Sequence, residues 1–130
     1  MSKLHSRSKG KIAELKIELA ATQKGYIVSH PHVDCYYDLI LDPGTKKSDI
    51  FRAQIKYCNR LHGNNLELRL DSRNGKRLHY SGSWIDVILV YVPKIDRILI
   101  YNQKHFHKKN RLTINLNNKN SKWYYERYLW

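Results

Sequence analysis

One run of eight residues constrains this chain more than any other stretch. Ile85-Asp86-Val87-Ile88-Leu89-Val90-Tyr91-Val92 is nearly all apolar and rich in β-branched side chains. It is strand-long, far short of the roughly 18–20 apolar residues that a membrane span needs. It also lacks the polar alternation of a strand with one wet face. It reads as a strand buried on both faces. Pro93-Lys94 then turns the chain, and Arg97 to Tyr101 returns beside it.

The remaining elements punctuate around that strand. From Lys11 the period becomes helical: Ile12, Leu15, Leu19 and Thr22 form a stripe, widened by Ala13, Ile17, Ala20 and Ala21. Gly25 stands where a helix-ending glycine belongs, which predicts a helix over 9–24 behind a basic, mobile arm over 1–8. Tyr26-Ile27-Val28 is a short strand and His30-Pro31-His32 a turn. Asp34 to Leu41 is β-rich and stops at Asp42-Pro43-Gly44; Ile50 to Cys58 is the next strand, and the two form an antiparallel hairpin. With Asp38 opposite Ile55, Cys35 falls opposite Cys58 as a neighbouring pair of reduced thiols. Leu66, Leu68 and Leu70 alternate with polar residues, and Asn74-Gly75 predicts a turn back through Arg77 to Tyr80. A basic loop, Lys104 to Asn110, precedes a last strand, Leu112 to Leu116. The aromatic tail, Trp123 to Trp130, is expected to close over the core or pack on a second subunit.

Composition narrows the class. The 130 residues fit one domain, and 42% hydrophobic content is enough to bury a core. The N-terminal ten residues lack the apolar segment of a signal peptide, and two cysteines give no disulfide scaffold. Both observations favour an intracellular protein, cytoplasmic or nucleoid-associated. No basic amphipathic helix is paired with an exposed apolar face, so a membrane partner is not expected. Lys and Arg outnumber Asp and Glu by 24 to 11, a formal charge of +13. The simplest partner for that excess is nucleic acid.

Three features carry chemistry. Glu14 lies on the first helix, Asp38 sits in a strand otherwise built for burial, and the next strand carries Gln54-Ile55-Lys56. Residues i and i+2 of a strand share a face, so Gln54 and Lys56 project together. In the expected register they flank the position opposite Asp38, and carboxylate, amide and ammonium meet on one sheet face. Such a group suits metal-assisted phosphodiester hydrolysis. Asp38, Gln54, Glu14 and the Ile55 carbonyl offer the oxygen ligands that Mg²⁺ prefers, with Mn²⁺ as a substitute. Lys56 would hold the attacking water and offset charge developing on the phosphate.

These residues also resemble a known family. Lys9-Gly10-Lys11-Ile12-Ala13-Glu14, Gly25-Tyr26-Ile27-Val28, Tyr37-Asp38-Leu39-Ile40-Leu41 and Ala53-Gln54-Ile55-Lys56 are similar to motifs of PD-(D/E)XK nucleases. Specifically they resemble the small homing endonucleases associated with group I introns, and more distantly archaeal Holliday-junction resolvases. The resemblance implies an α/β restriction-endonuclease-like core, a central mixed sheet flanked by helices, and a Mg²⁺-dependent DNA endonuclease. It puts Glu14, Asp38, Gln54 and Lys56 in the catalytic positions. Two departures stand out: Tyr37 replaces the name-giving proline, and Gln54 replaces the second acid, removing a charge from the metal site.

Other residues have plainer readings. Asp86 is expected to bond nearby backbone, and Glu18 to be a solvated charge alternating with Lys16. The His30/His32 and His105/His107 spacings match no structural zinc motif. His32 is the histidine expected near Asp38, where it would touch phosphate. Double-stranded DNA is the expected partner, contacted by Lys9 and Lys11, by Arg69, Arg73, Lys76 and Arg77 on a β-ribbon, and by Lys104, Lys108 and Lys109. A domain of this size covers little duplex, which favours a homodimer or homotetramer. Two alternatives stay open: a structure-selective nuclease acting on branched DNA, and a non-catalytic nucleic-acid-binding module in which Gln54 marks a lost metal site.

Overall fold

The computed structural model describes residues 3–46, 48–70 and 84–130. Its first helix, α1, spans Ser6–Gln23, so it starts inside the expected arm. It ends as anticipated. Gly25 takes φ +92°, its N–H donates to the Thr22 carbonyl, and the Tyr26 N–H donates to Ala21, each at 3.0 Å. This pair of bonds is a Schellman cap, and the positive φ is why glycine is used there.

The helix buries a different stripe from the one its leucines suggest. Ala13, Ile17 and Ala21 are 0% exposed, whereas Leu15 and Leu19 are 54% and 58% exposed. Three successive turns of two alanines and an isoleucine let the helix approach the sheet closely. Glu14, adjacent to Ala13, is thereby left half-buried on the helix flank.

The strands are β1 (Ile27–Ser29), β2 (Leu39–Asp42), β3 (Phe51–Tyr57), β4 (Leu61–His62), β5 (Asn65–Arg69), β6 (Val87–Val92), β7 (Arg97–Asn102) and β8 (Arg111–Asn115), with a short helix, α2 (Gln103–Phe106), after β7. Five form a central sheet in the order β1-β2-β3-β6-β7, and three form a small sheet in the order β4-β5-β8. Only the β3–β6 pairing in the central sheet is parallel. All six residues of β6 are buried, as its composition required. Val87, Leu89 and Tyr91 pack under α1, while Ile88, Val90 and Val92 face the small sheet. The tail closes over the core: Trp123, Tyr125, Tyr128 and Leu129 pack on one side of the sheet and Trp130 on the other.

Three expectations need correction. The strand expected from Asp34 begins only at Leu39. The hairpin register is one residue away from that expected: Leu39 opposes Ala53 and Ile40 opposes Arg52, which puts Asp38 across from Gln54 rather than Ile55. Residues directly opposed across a pair share a face, so the expected register would not have brought Asp38 onto the face of Gln54 and Lys56 as anticipated. In the structure Asp38 and Gln54 border one cavity, with Lys56 outside its lining. Finally, Cys35 is exposed and Cys58 buried, so the two do not form the expected pair. Their thiols donate instead to the carbonyls of Tyr37 and Glu67, both at 3.4 Å. Burial pushes the Cys58 thiol up to about 11.

The Leu66–Leu70 part of the second expected hairpin is seen as β5, but its partners are β4 and β8. The returning strand from Arg77 to Tyr80, with Arg73, Lys76 and Arg77, lies outside the described residues.

Candidate active site

Asp38 stands at the mouth of β2, where two backbone bonds to β3 fix it. Its N–H donates to the Ala53 carbonyl and its Oδ2 accepts the Ile55 N–H, each at 2.8 Å. The carboxylate is therefore clamped against Ile55, the residue whose carbonyl was expected to be a ligand. Gln54 pairs with Ile88 and Lys56 with Val90, so both belong to the face of β3 away from α1.

Around the strand end lies a cavity of about 400 Å³, lined by Glu14, Asp38, Gln54, Ile55 and Tyr57, with Arg7, Gly10, Lys11 and Ala13 of α1. Four of the expected site residues thus border one space. Lys56 lies outside that lining but acts electrostatically on the Asp38 carboxylate. Arg7 and Tyr57 also border the cavity, and no motif in the sequence marked them.

Although Asp38 is open to solvent on one side, loss of water on the other raises its carboxyl above the ordinary range, and the nearby Glu14 carboxylate adds to that. The Ile55 N–H, Lys56 and His30 pull the other way. A carboxylate that is partly desolvated and faces a second carboxylate is one that a bound cation would stabilise. The donors bordering the space are a carboxylate from α1, a carboxylate from β2, an amide and a peptide carbonyl. This all-oxygen set fits a hard divalent ion such as Mg²⁺.

A second cavity, of about 220 Å³, shares Glu14 and Asp38 as walls and adds His30, Pro31, Val33, Asp34, Cys35 and Tyr37. His30, rather than His32, is the histidine beside Asp38. Its Nδ1 is 3.9 Å from Glu14 Oε1, and its Nε2 closely contacts Glu18 Oε1. Glu18 is therefore engaged by a histidine and not merely solvated. The one-turn spacing of Glu14 and Glu18 was the available signal; that His30 meets both depends on how β1 returns along α1.

Asp86 is tied as expected: its Oδ2 accepts the Arg52 N–H at 2.8 Å, and its own N–H donates to the Arg52 carbonyl at 2.9 Å. Beside the site, the Tyr36 and Trp84 rings meet at a tilt of 39° with centroids 4.8 Å apart yet remain 39% and 51% exposed. Of the expected basic contacts, Lys11 borders the first cavity and Lys9 is half-buried on the same helix. Arg69 lies across from Arg111 in the small sheet. Lys104 and Lys108 are exposed before that strand, and the Lys109 ammonium lies 4.7 Å from the centre of the Trp123 ring.

A mixed sheet with an alanine-lined first helix, and carboxylate, amide and lysine gathered at the mouth of two adjacent strands, defines an α/β fold of restriction-endonuclease type. A family profile described as PD-(D/E)XK endonuclease matches residues 4–127, and the chain belongs to that family. Among solved structures it is similar to a bacterial homing endonuclease, I-Ssp6803I. That likeness has a TM-score of 0.72 and 18% identity, and it covers 92% of this chain and 81% of the other. A search of curated protein sequences gives no significant match. Among the described residues no helix is long and apolar enough to cross a membrane.

Proposed function

We propose that this endonuclease cleaves double-stranded DNA at specific sites in a Mg²⁺-dependent reaction, in the manner of a homing endonuclease. The observation that carries the reading is the convergence of Glu14, Asp38, Gln54 and Ile55 on one cavity, with Lys56 acting on the same carboxylate. The +13 charge supplies affinity for a polyanion. The solved homing endonuclease shares the fold, which is consistent with that use.

When bound, a Mg²⁺ ion polarises the scissile phosphate and lowers the pKa of a water. The protein's residues account for the rest. Asp38, held by the Ile55 N–H, offers a carboxylate whose direction is fixed before the ion arrives. Gln54 and the Ile55 carbonyl offer neutral oxygens, so the site carries less negative charge than one with two strand acids. Glu14 supplies the second carboxylate from α1. Lys56 offsets charge on the phosphate and orients the attacking water. Arg7 and Lys11, at the cavity rim, hold the backbone of the DNA in place without reading sequence. The exposed rings of Tyr36 and Trp84 offer flat faces to bases near the cut.

Base recognition is assigned to Arg69, Arg73, Lys76 and Arg77, with further phosphate contacts from Lys9, Lys104, Lys108 and Lys109. Cutting both strands requires two such sites, so the working form is a homodimer or homotetramer.

The test is nicking of supercoiled plasmid and of a synthetic four-way junction, in Mg²⁺ or EDTA, by wild type and Lys56→Ala. Cleavage should need the metal and fall roughly 10²- to 10⁴-fold in Lys56→Ala. Preference for the junction regardless of sequence would replace homing with junction resolution. Tight, salt-sensitive binding with no cutting of any substrate and no Asp38-dependent metal site would reduce the chain to a binding module.

A further inference from the structure

We propose that Glu14, Glu18 and His30 form a second divalent-cation site, adjoining the Asp38 centre and sharing Glu14 with it, and suited to a transition metal such as Zn²⁺, Co²⁺ or Mn²⁺ rather than Mg²⁺. The two glutamates lie one turn apart on α1, so their side chains emerge side by side. β1 runs back from the helix cap and delivers His30 between them. One ligand atom from each residue lies within 4.8 Å of the others. Two ligands on opposite sides of an ion with bonds of about 2.1 Å are about 4.2 Å apart. His30 now turns Nδ1 toward Glu14 and Nε2 onto Glu18, so an ion would enter by opening the contact between His30 and Glu18 and taking one imidazole nitrogen with both carboxylates.

The donor types choose the metal. Mg²⁺ takes oxygen ligands and gives up water reluctantly, whereas an imidazole nitrogen with two carboxylates suits Zn²⁺, Co²⁺ or Mn²⁺. The Asp38 centre offers oxygens alone. Two sites of different ligand preference thus adjoin along one helix, with Glu14 between them. Two of the three residues, Glu14 and His30, also wall a cavity of about 220 Å³, together with Asp34 and Asp38. It has room for several waters, each taking about 30 Å³ in the liquid, and these would complete the ion's shell. In a chain with +13 net charge, three carboxylates, those of Glu14, Asp34 and Asp38, wall this one cavity.

The site stands whether or not the DNA-cleavage reading does, because Glu18 and His30 have no part in that chemistry. Its position predicts a consequence if both hold. An ion bound to Glu18 and His30 draws Glu14 away from the Asp38 centre, so Zn²⁺ should compete with Mg²⁺-dependent cutting.

Zn²⁺ and Co²⁺ titrations of the full chain test it, by calorimetry and by the visible absorption of bound Co²⁺. The proteins compared are wild type, Asp38→Ala, Glu18→Gln and Asp38→Ala combined with His30→Ala, each checked for folding by circular dichroism. Asp38→Ala should keep one Co²⁺ site, and both Glu18→Gln and the double variant should weaken that site at least ~10-fold. Loss of all Co²⁺ binding in Asp38→Ala would overturn the proposal, as would unchanged affinity in the double variant or a thiolate-type Co²⁺ spectrum pointing to Cys35. Glu18→Gln preserves the helix spacing, so an effect there cannot be ascribed to a lost fold. The Lys56→Ala cleavage experiment tests the nuclease reading and leaves these three ligands intact.

Discussion

The two faces of the central sheet are built from different materials. Under α1 the contact layer is thin: Ala13, Ala21 and Ala53 stand among Ile17, Leu39 and Leu41. On the far face, Leu66, Leu68, Tyr101, Phe106, Leu112 and Ile114 fill a deeper layer roofed by the small sheet and the aromatic tail. The thin face brings a helix close enough for Glu14 to share a cavity with Asp38. The thick face contributes most of the buried apolar bulk, and with it most of the hydrophobic stabilisation. Most of the stability is thus drawn from one face, whereas the candidate site gathers at the strand end, where Glu14 arrives with α1 and Gln54 and Lys56 belong to the other face of β3.

The largest break in that division is on the thick face. Phe106 is fully buried, so Phe106→Ala should cost about 3–5 kcal/mol by thermal or denaturant unfolding. Metal affinity of the protein that remains folded should be unchanged. The thin face should respond in the opposite sense. Ala13→Leu adds volume where α1 meets the sheet and should cost about 1–3 kcal/mol. Because the helix must move outward to admit it, cleavage and metal binding at Asp38 should fall by more than the folded fraction does. Equal losses in the two assays would mean that helix approach is not what sets the site.

A smaller effect sharpens the description of the thick face. Tyr101 is fully buried, and its hydroxyl has no hydrogen-bond partner among the described residues. Its ring stacks on Tyr128 with centroids 4.8 Å apart, and burial pushes the phenol pKa strongly upward. Tyr101→Phe keeps the ring and removes the unsatisfied group, so it should stabilise by about 1 kcal/mol. A loss of stability in that variant would reveal a polar role for the hydroxyl.

Much of this arrangement was legible in the sequence because it depends on local pattern. The doubly buried β6 could be read from six consecutive apolar residues, and the end of α1 from Gly25. Of the four candidate site residues named from strand periodicity and motif order, Glu14, Asp38 and Gln54 border one cavity, while Lys56 lies outside its lining. What could not be read was set by packing between elements. Leu15 and Leu19 made the most hydrophobic stripe of α1, but small residues won the contact with the sheet. The hairpin register was misplaced by one residue because the loop between β2 and β3 imposes no strict geometry. Its error mattered, since one step exchanges faces. Likewise, β5 pairs with β8 across more than forty residues as well as with its neighbour β4. His30 was passed over for His32 because only the return of β1 along α1 decides which of the two meets Glu14 and Glu18.

The smallest predicted effect joins the two faces through Asp38 itself. Its folded pKa is raised, mainly by loss of water and then by Glu14, so the folded state binds a proton more readily than the unfolded chain does. Stability contributed by this group is therefore present at low pH and declines as pH rises through the carboxylate range. Asp38→Asn retains an acceptor for the Ile55 N–H and removes the charge. It should be slightly more stable than wild type at neutral pH, with the difference vanishing in acid. Added Mg²⁺ should reverse the order, since an ion that binds only the folded state stabilises it and the variant's neutral amide would no longer hold one. Melting curves of the two proteins across pH, with and without Mg²⁺, would check both signs. If wild type were the more stable at neutral pH without metal, Asp38 would be a structural residue of β2. If it were the less stable and recovered with Mg²⁺, the carboxylate would be held at a cost to the fold that the metal offsets.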